Sequence, residues 1–437
     1  MTDIHKPNRL YDIAHFFVNR CVGKSYRATQ VTGLHHIPDD GAVILVANHC
    51  NTLMDALVVL RARGMEITVF GARADLYNNP TIAKVVRFLK ILPMVRERDG
   101  LRNVVKNFDT MDQVSDIIED GVKFCFYPEG THRPKHSLLP IRKGLTRFVM
   151  AADEKLPEGM PIYMVPVGIE YGDYFRFHST SLVTFGKPVE LRSMVRAVED
   201  KNMPFFKGMS ELYTQKISEL ITYIPDDENY DGVWSLTKIL RSGEGVITQA
   251  CRTPLSNRLA ANREAVAVIE KKLNSDADRM ARILADSAAF EEKRKAAGIS
   301  TYSFFCKNRA LNVTERAANA LICIPAAIMF GIFSLPTWLT AKILCAKVFK
   351  DRAFHNTGRT VCMFLWTPIL SIFWLVIGWT CWNWIMGILF LLMAINSYQG
   401  LWDCMGIIRK SMSDFKLLGR SDLYREWKSL RSRFKAL

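Results

Sequence analysis

Apolar residues fill every position from Ala42 to Ala47, and the run ends directly on Asn48-His49-Cys50. A stretch with no polar face predicts a strand buried on both sides, which would hold a histidine rigidly at its tip. Runs at Ile67–Phe70, Lys123–Tyr127 and Met164–Ile169 predict further strands, with helical spacing between them. Strand and helix alternate in this way as far as about residue 225, which predicts an α/β domain over residues 1–225: a mostly parallel or mixed sheet flanked by helices. Before it, Leu10, Ile13, Ala14, Phe17 and Val18 recur at helical spacing and predict a short amphipathic helix over residues 8–24.

The pattern then changes twice. From residue 226 to about 310 the chain is charged, alanine-rich and helical in period, as expected of a helical insert. Over 311–402 lie two long stretches, 317–341 and 360–402, without a single charged residue. A helix needs about 20 apolar residues to cross a bilayer, so C-terminal membrane helices are expected here. The second stretch has room for two crossings, with the Trp379, Trp382 and Trp384 cluster marking a turn at the far interface. Lys293, Arg294 and Lys295 precede the first stretch, Lys342, Lys347 and Lys350 separate the two, and Arg409, Lys410 and Arg425 follow the second. Positive flanks stay on the cytoplasmic side. The first stretch is therefore expected to enter and leave on one side as a re-entrant hairpin, broken at Pro325, Gly331 and Pro336. Residues 403–437 read as a basic amphipathic tail suited to anionic lipid.

Charge fits that picture. Lys and Arg number 58 against 43 Asp and Glu, a net +15, which implies an anionic partner. Much of the excess flanks the apolar stretches and no nucleic-acid-binding motif is present, so a membrane surface and a phosphorylated substrate are expected and nucleic acid is not. The ten cysteines include no C-x-x-C pair, which suggests neither a metal site nor a disulfide framework. The first residues, Met-Thr-Asp-Ile-His-Lys-Pro-Asn, lack the basic start and apolar run of a secretory signal, so the 1–225 domain is expected at the cytoplasmic face of a membrane.

Four blocks follow one another in the chain: Asn48-His49 with Asp55; Ile91-Leu-Pro-Met-Val-Arg96-Glu-Arg98-Asp99; Phe126-Tyr-Pro-Glu129-Gly130-Thr131-His132-Arg133; and Val165-Pro-Val-Gly168-Ile169. In this order they resemble the glycerophospholipid acyltransferase family, the PlsC-like enzymes, over roughly residues 10–225. The family's commonest first block has four residues between histidine and aspartate, whereas five separate His49 from Asp55. One more residue inside a helix would rotate the carboxylate by about 100°, so the pair survives only if the addition precedes the helix. The fungal-type glycerol-3-phosphate and dihydroxyacetone-phosphate acyltransferases are similar in this spacing, in the run Leu138-Leu139-Pro140 before Gly144, and in having a helical insert and C-terminal membrane segments.

The resemblance implies a membrane-bound O-acyltransferase that moves a fatty acyl group from acyl-CoA or acyl-acyl carrier protein to a hydroxyl of glycerol 3-phosphate or 1-acylglycerol 3-phosphate, without metal or other cofactor. His49 would be the general base and Asp55 its orienting carboxylate. A thioester is already activated, so no serine nucleophile is needed, and Cys50 beside the histidine is expected to pack. Arg96, Arg133 and Lys135 would grip the acceptor's phosphate, while Glu129, Gly130 and Thr131 would shape its pocket. Where the third block usually carries arginine this chain has His132, with Arg133 one position later. The competing expectation is a non-catalytic membrane-surface lipid-binding protein with a degenerate site.

Overall fold

The computed structural model describes residues 4–94, 107–201, 203–240, 254–305 and 309–437. The chain divides into two compact units, Met1–Ile221 and Thr222–Leu437.

In the first unit, β1 (Ala28–Thr32), β2 (Ala42–Ala47), β3 (Thr68–Arg73), β4 (Ile91–Met94), β5 (Lys123–Phe126), β6 (Ile162–Tyr171) and β7 (Thr180–Phe185) form one sheet in the order β1-β7-β6-β2-β5-β3-β4, and β8 (Val189–Glu190) pairs with β6. The pairs of β2 with β5 and β6, of β3 with β4 and β5, and of β1 with β7 are parallel; β6 is antiparallel to β7 and β8. The sheet is thus mixed and mostly parallel. All six residues of β2 are buried, which accounts for its unbroken apolar run. Ile44 and Val46 enter a core with Phe124, Leu145 and Phe148 on one face. Val43, Leu45 and Ala47 enter another with Met54, Val59 and Val165 on the other. Because β2, β5 and β6 are parallel, their carboxyl ends open at one edge of the sheet, where α/β proteins build their sites.

The helix expected over residues 8–24 forms as Arg9–Ser25, with its apolar stripe outward. Tyr11, His15, Cys21 and Val22 are buried, while Leu10, Ile13, Phe16 and Phe17 are each at least half exposed. Apolar spacing locates a stripe but does not say whether protein or something else covers it.

In the second unit, the helices Tyr230–Leu240, Leu255–Ser275, Ala277–Ala296 and Ser421–Lys435 share a core that includes Leu236, Ile269, Leu284, Phe290, Trp427 and Leu430. The helix Ser421–Lys435, within the basic tail, buries its apolar side chains Leu423, Trp427, Leu430 and Phe434 in this bundle. Its charges also pair with the bundle, Arg433 with Asp286 at 2.7 Å and Lys293 with Glu426 at 2.9 Å. Beneath the surface, Glu291 accepts two hydrogen bonds from Arg294 and one from Lys238. These bonds and cations hold its carboxyl down at about 2 against the opposing effect of burial.

Among the described residues, three helical segments, Val313–Phe333, Arg352–Cys381 and Trp384–Leu418, are long and apolar enough to cross a membrane. The first buries only 11% of its most apolar window within the protein, so its side chains are free to meet lipid. The breaks fall differently from expectation. The helix Arg309–Phe333 runs on through Pro325 and Gly331, and the interruption comes at Ser334, with Pro336 in the first turn of the helix Leu335–Lys347. A proline in that first turn removes an N–H that has no helical partner anyway. The tryptophan cluster does mark a fold-back: one helix ends at Cys381, the next starts at Trp384, and Asn383 caps it by accepting from Met386 N at 3.0 Å. Gly378 and Gly387 let the two helices meet there, since a Cβ on Gly378 would lie 2.7 Å from the Met386 carbonyl. The helix Trp384–Leu418 passes through residue 402 without a break.

Candidate active site

His49 stands just beyond β2, held there by its neighbour. The Asn48 side chain donates to the Ile169 carbonyl at 3.0 Å and accepts from the Ile169 N–H at 2.7 Å. It so extends the β2–β6 ladder past its last backbone pair, Ala47↔Val167.

Asp55 lies in the first turn of the helix Leu53–Ala62 and is wholly buried. Its Oδ2 accepts from His49 Nδ1 at 2.8 Å, from Cys50 N at 2.8 Å and from Asn51 N at 2.7 Å, and its Oδ1 accepts from the Tyr171 hydroxyl at 2.8 Å. An ionised carboxylate only accepts, so this arrangement puts the imidazole proton on Nδ1 and leaves Nε2 as the basic nitrogen. The additional residue is absorbed in the loop Cys50–Thr52, ahead of the helix. Thr52 closes that loop at φ +50°, a conformation unfavourable for a β-branched residue, and the bonds gathered on Asp55 hold it there. Cys50 is buried against Asp55, and burial followed by that carboxylate pushes its thiol well above the usual range. It stays protonated, and packing is its role.

The third block turns across the end of β2. Gly130 adopts φ +67°, which glycine alone tolerates cheaply. Glu129 is buried, with Oε1 accepting from His49 N at 2.7 Å and Oε2 from Leu139 N at 2.8 Å. From the same loop Arg133 N donates to the His49 carbonyl at 3.1 Å. The main chain of His49 is therefore held on both sides by the third block. Around the imidazole stand the rings of Tyr127, at 4.7 Å between centroids, and His132, at 5.8 Å.

Burial raises the Glu129 carboxyl to about 7, against the opposing pull of the Leu139 and His49 N–H groups. Between about pH 4.5 and 7 the native state keeps a proton that the unfolded chain has released, so this group's contribution to stability falls as pH rises through that window. A shift of that size corresponds to about 3 kcal/mol. Relative to Glu129→Gln, which cannot ionise, the wild type should lose stability between those pH values by that amount, measured as the difference between their thermal unfolding profiles. A pH-independent difference would show that the carboxyl titrates normally.

Of the residues singled out from sequence, His49, Asp55, Glu129, Gly130 and Arg133 come together at this edge, and Thr131 continues the same loop. Arg133 Nη2 donates to Ser137 Oγ at 2.7 Å, and Lys135 N to the Arg133 carbonyl at 2.8 Å, which folds the loop tightly on itself. Arg96 lies outside the described residues. Two participants carried no sequence signal: Tyr171, at the end of β6, and Arg142, whose N–H donates to the Pro128 carbonyl at 3.1 Å and whose side chain passes beside Gly130.

A histidine whose Nδ1 is held by a buried carboxylate, set beside a basic loop, has the geometry to take a proton from a hydroxyl. The family model described as Acyltransferase matches residues 28–170, from β1 through nearly all of β6. The match falls on the part of the chain that holds the four blocks and agrees with their resemblance to acyltransferases. Among solved structures it is similar to the crystal structure of the 1-acyl-sn-glycerophosphate (LPA) acyltransferase, PlsC, from Thermotoga maritima, at 21% identity and a TM-score of 0.34, with 48% of this chain and 79% of that chain covered. No curated protein matches the chain.

Proposed function

We propose that the protein is a membrane-bound O-acyltransferase that transfers a fatty acyl group from an acyl thioester, acyl-CoA or acyl-acyl carrier protein, to a hydroxyl of glycerol 3-phosphate or 1-acylglycerol 3-phosphate. The observation that carries the reading is the 2.8 Å bond from His49 Nδ1 to a buried Asp55 at the carboxyl ends of parallel strands. His49 Nε2 takes the proton of the acceptor hydroxyl as its oxygen attacks the thioester carbonyl. The tetrahedral intermediate then collapses, the carbon–sulfur bond breaks, and the imidazolium returns the proton to the leaving thiolate. Asp55 stabilises the imidazolium in between. The five-residue spacing favours glycerol 3-phosphate as acceptor, and the short sheet domain favours the 1-acyl derivative. Purified full-length protein offered each acceptor with each donor, with products identified by mass, tests the reading. No ester product from any pairing would overturn it.

Phosphate on either acceptor calls for cations, the role we assign to Arg133, Lys135 and Arg96. Arg133→Ala should raise the acceptor's KM by about tenfold and leave kcat within a few-fold, as expected for lost binding that is the same in ground and transition states. Equal kcat/KM for glycerol 3-phosphate and a neutral monoacylglycerol in the wild type would overturn the phosphate assignment.

We also place the 1–225 domain on the cytoplasmic face, on the strength of the basic flanks. With native cysteines removed, a single cysteine at Asn383 should react with an impermeant thiol reagent in intact cells, and cysteines at Lys350 or Arg431 should not. Labelling at position 350 would mean that the first stretch crosses the membrane once and is not re-entrant.

A further inference from the structure

On the edge of the sheet farthest from β1, a cavity of about 340 Å³ opens between the helix Arg9–Ser25, the helix Pro80–Phe88 and β4. It lies apart from the His49–Asp55 pair. Ile91 at the start of β4 aligns through Phe70 of β3 and Cys125 of β5 with Leu45 of β2. Strand spacing puts roughly 14 Å between β4 and β2, and His49 lies a further four residues along the chain.

Among the described residues the cavity is lined by three cations, Lys6, Arg87 and Lys90, and by no carboxylate. Lys90 is 2% exposed and takes up φ +58° to reach its place. Its ammonium donates to the carbonyls of Ile4 and Lys6, both at 2.8 Å, and sits 4.6 Å over the Tyr11 ring. An ammonium has three N–H donors, so one is left over. Tyr11 also lines the cavity; it is 3% exposed, and its buried hydroxyl has no hydrogen-bond partner among the described residues. Burying a cation and an unsatisfied hydroxyl together is costly unless an acceptor group joins them. Asp12, the residue after Tyr11, is the acidic group that acts on Lys90 and offsets part of its charge.

The two helices that bound the cavity add a second kind of chemistry. Leu10 and Ile13 on one helix, and Ile82 and Val85 on the other, are 45–69% exposed. The Tyr11 and Phe88 rings, 6.1 Å apart, tie the two helices together beneath them. A cavity lined by cations, between helices that also expose apolar side chains, matches an amphiphile: a phosphate inside and acyl chains along the exposed helix faces. We propose that this cavity binds the phosphodiester headgroup of an anionic glycerophospholipid, held by Arg87, Lys90 and the Tyr11 hydroxyl. The site is separate from the acyl-transfer reading and stands or falls without it.

The test is native mass spectrometry of the full chain in detergent, titrated with dioctanoyl phosphatidylglycerol, dioctanoyl phosphatidylcholine or inorganic phosphate. One saturable phosphatidylglycerol should bind about tenfold more tightly than phosphatidylcholine. Arg87→Gln and Tyr11→Phe should each weaken it by about fivefold without lowering the melting temperature. Lys90 is a poorer probe because its ammonium also fastens the N-terminal segment. Equal affinity for the two lipids, or indifference to both substitutions, would overturn the proposal. Inorganic phosphate displacing the lipid at equal concentration would overturn the lipid as occupant and leave a plain anion site.

Discussion

His49→Ala should lower kcat by about 10²- to 10⁴-fold while leaving the acceptor's KM, membrane association and melting temperature close to wild type. The separation of effects follows from where the side chain sits. β2 is held by Ile44, Leu45 and Val46 inside the two cores, and Asn48 anchors its end to Ile169, so removing an imidazole beyond that end takes nothing from the strand. What is lost is the nitrogen to which the proposed mechanism gives the proton. Near-normal turnover of the variant, under conditions where acyl transfer limits the rate, would mean that another group is the base.

Asp55→Ala should do more, because Asp55 is both an orienting group and a structural one. Its removal leaves the N–H groups of Cys50 and Asn51 and the Tyr171 hydroxyl buried without an acceptor, at about 1–3 kcal/mol each. The melting temperature and the rate should fall together. Asp55→Asn separates the two losses: it fills the space but offers the imidazole an amide, and should cost most of the rate with a smaller loss of stability. Tyr171→Phe removes a single donor and should cost only a few-fold in kcat. Equal stability of Asp55→Ala and wild type would show that the loop does not depend on this carboxylate.

The parts of the fold that could be read from the chain are those where one force dominates. β2 announced itself because both of its faces are buried. β1 and β7 did not, since Thr, Gln and Ser supply much of both and the burial of β1 is partial. The histidine and aspartate were visible as a pair, but whether they meet depended on where the helix starts, and helix starts are among the least determined features of a sequence. Tyr171 was out of reach: it comes to Asp55 from 116 residues away, through a strand order that no local pattern encodes. The outward stripe of the helix Arg9–Ser25 shows the same limit from the other side, since its periodicity could be read and carried no direction.

The double hold on the His49 backbone has a consequence for the energetics of turnover. Glu129 ties the His49 N–H to the Leu139 N–H, and Arg133 N ties the His49 carbonyl to the loop between them, so the base and the basic loop form one rigid unit before any substrate arrives. The entropy of bringing base and acceptor pocket into register is thereby lost during folding and not in each catalytic cycle. A site arranged in this way is preorganised, and substitutions that loosen the 129–139 loop should be felt in the activation entropy even when every group that touches substrate is still in place.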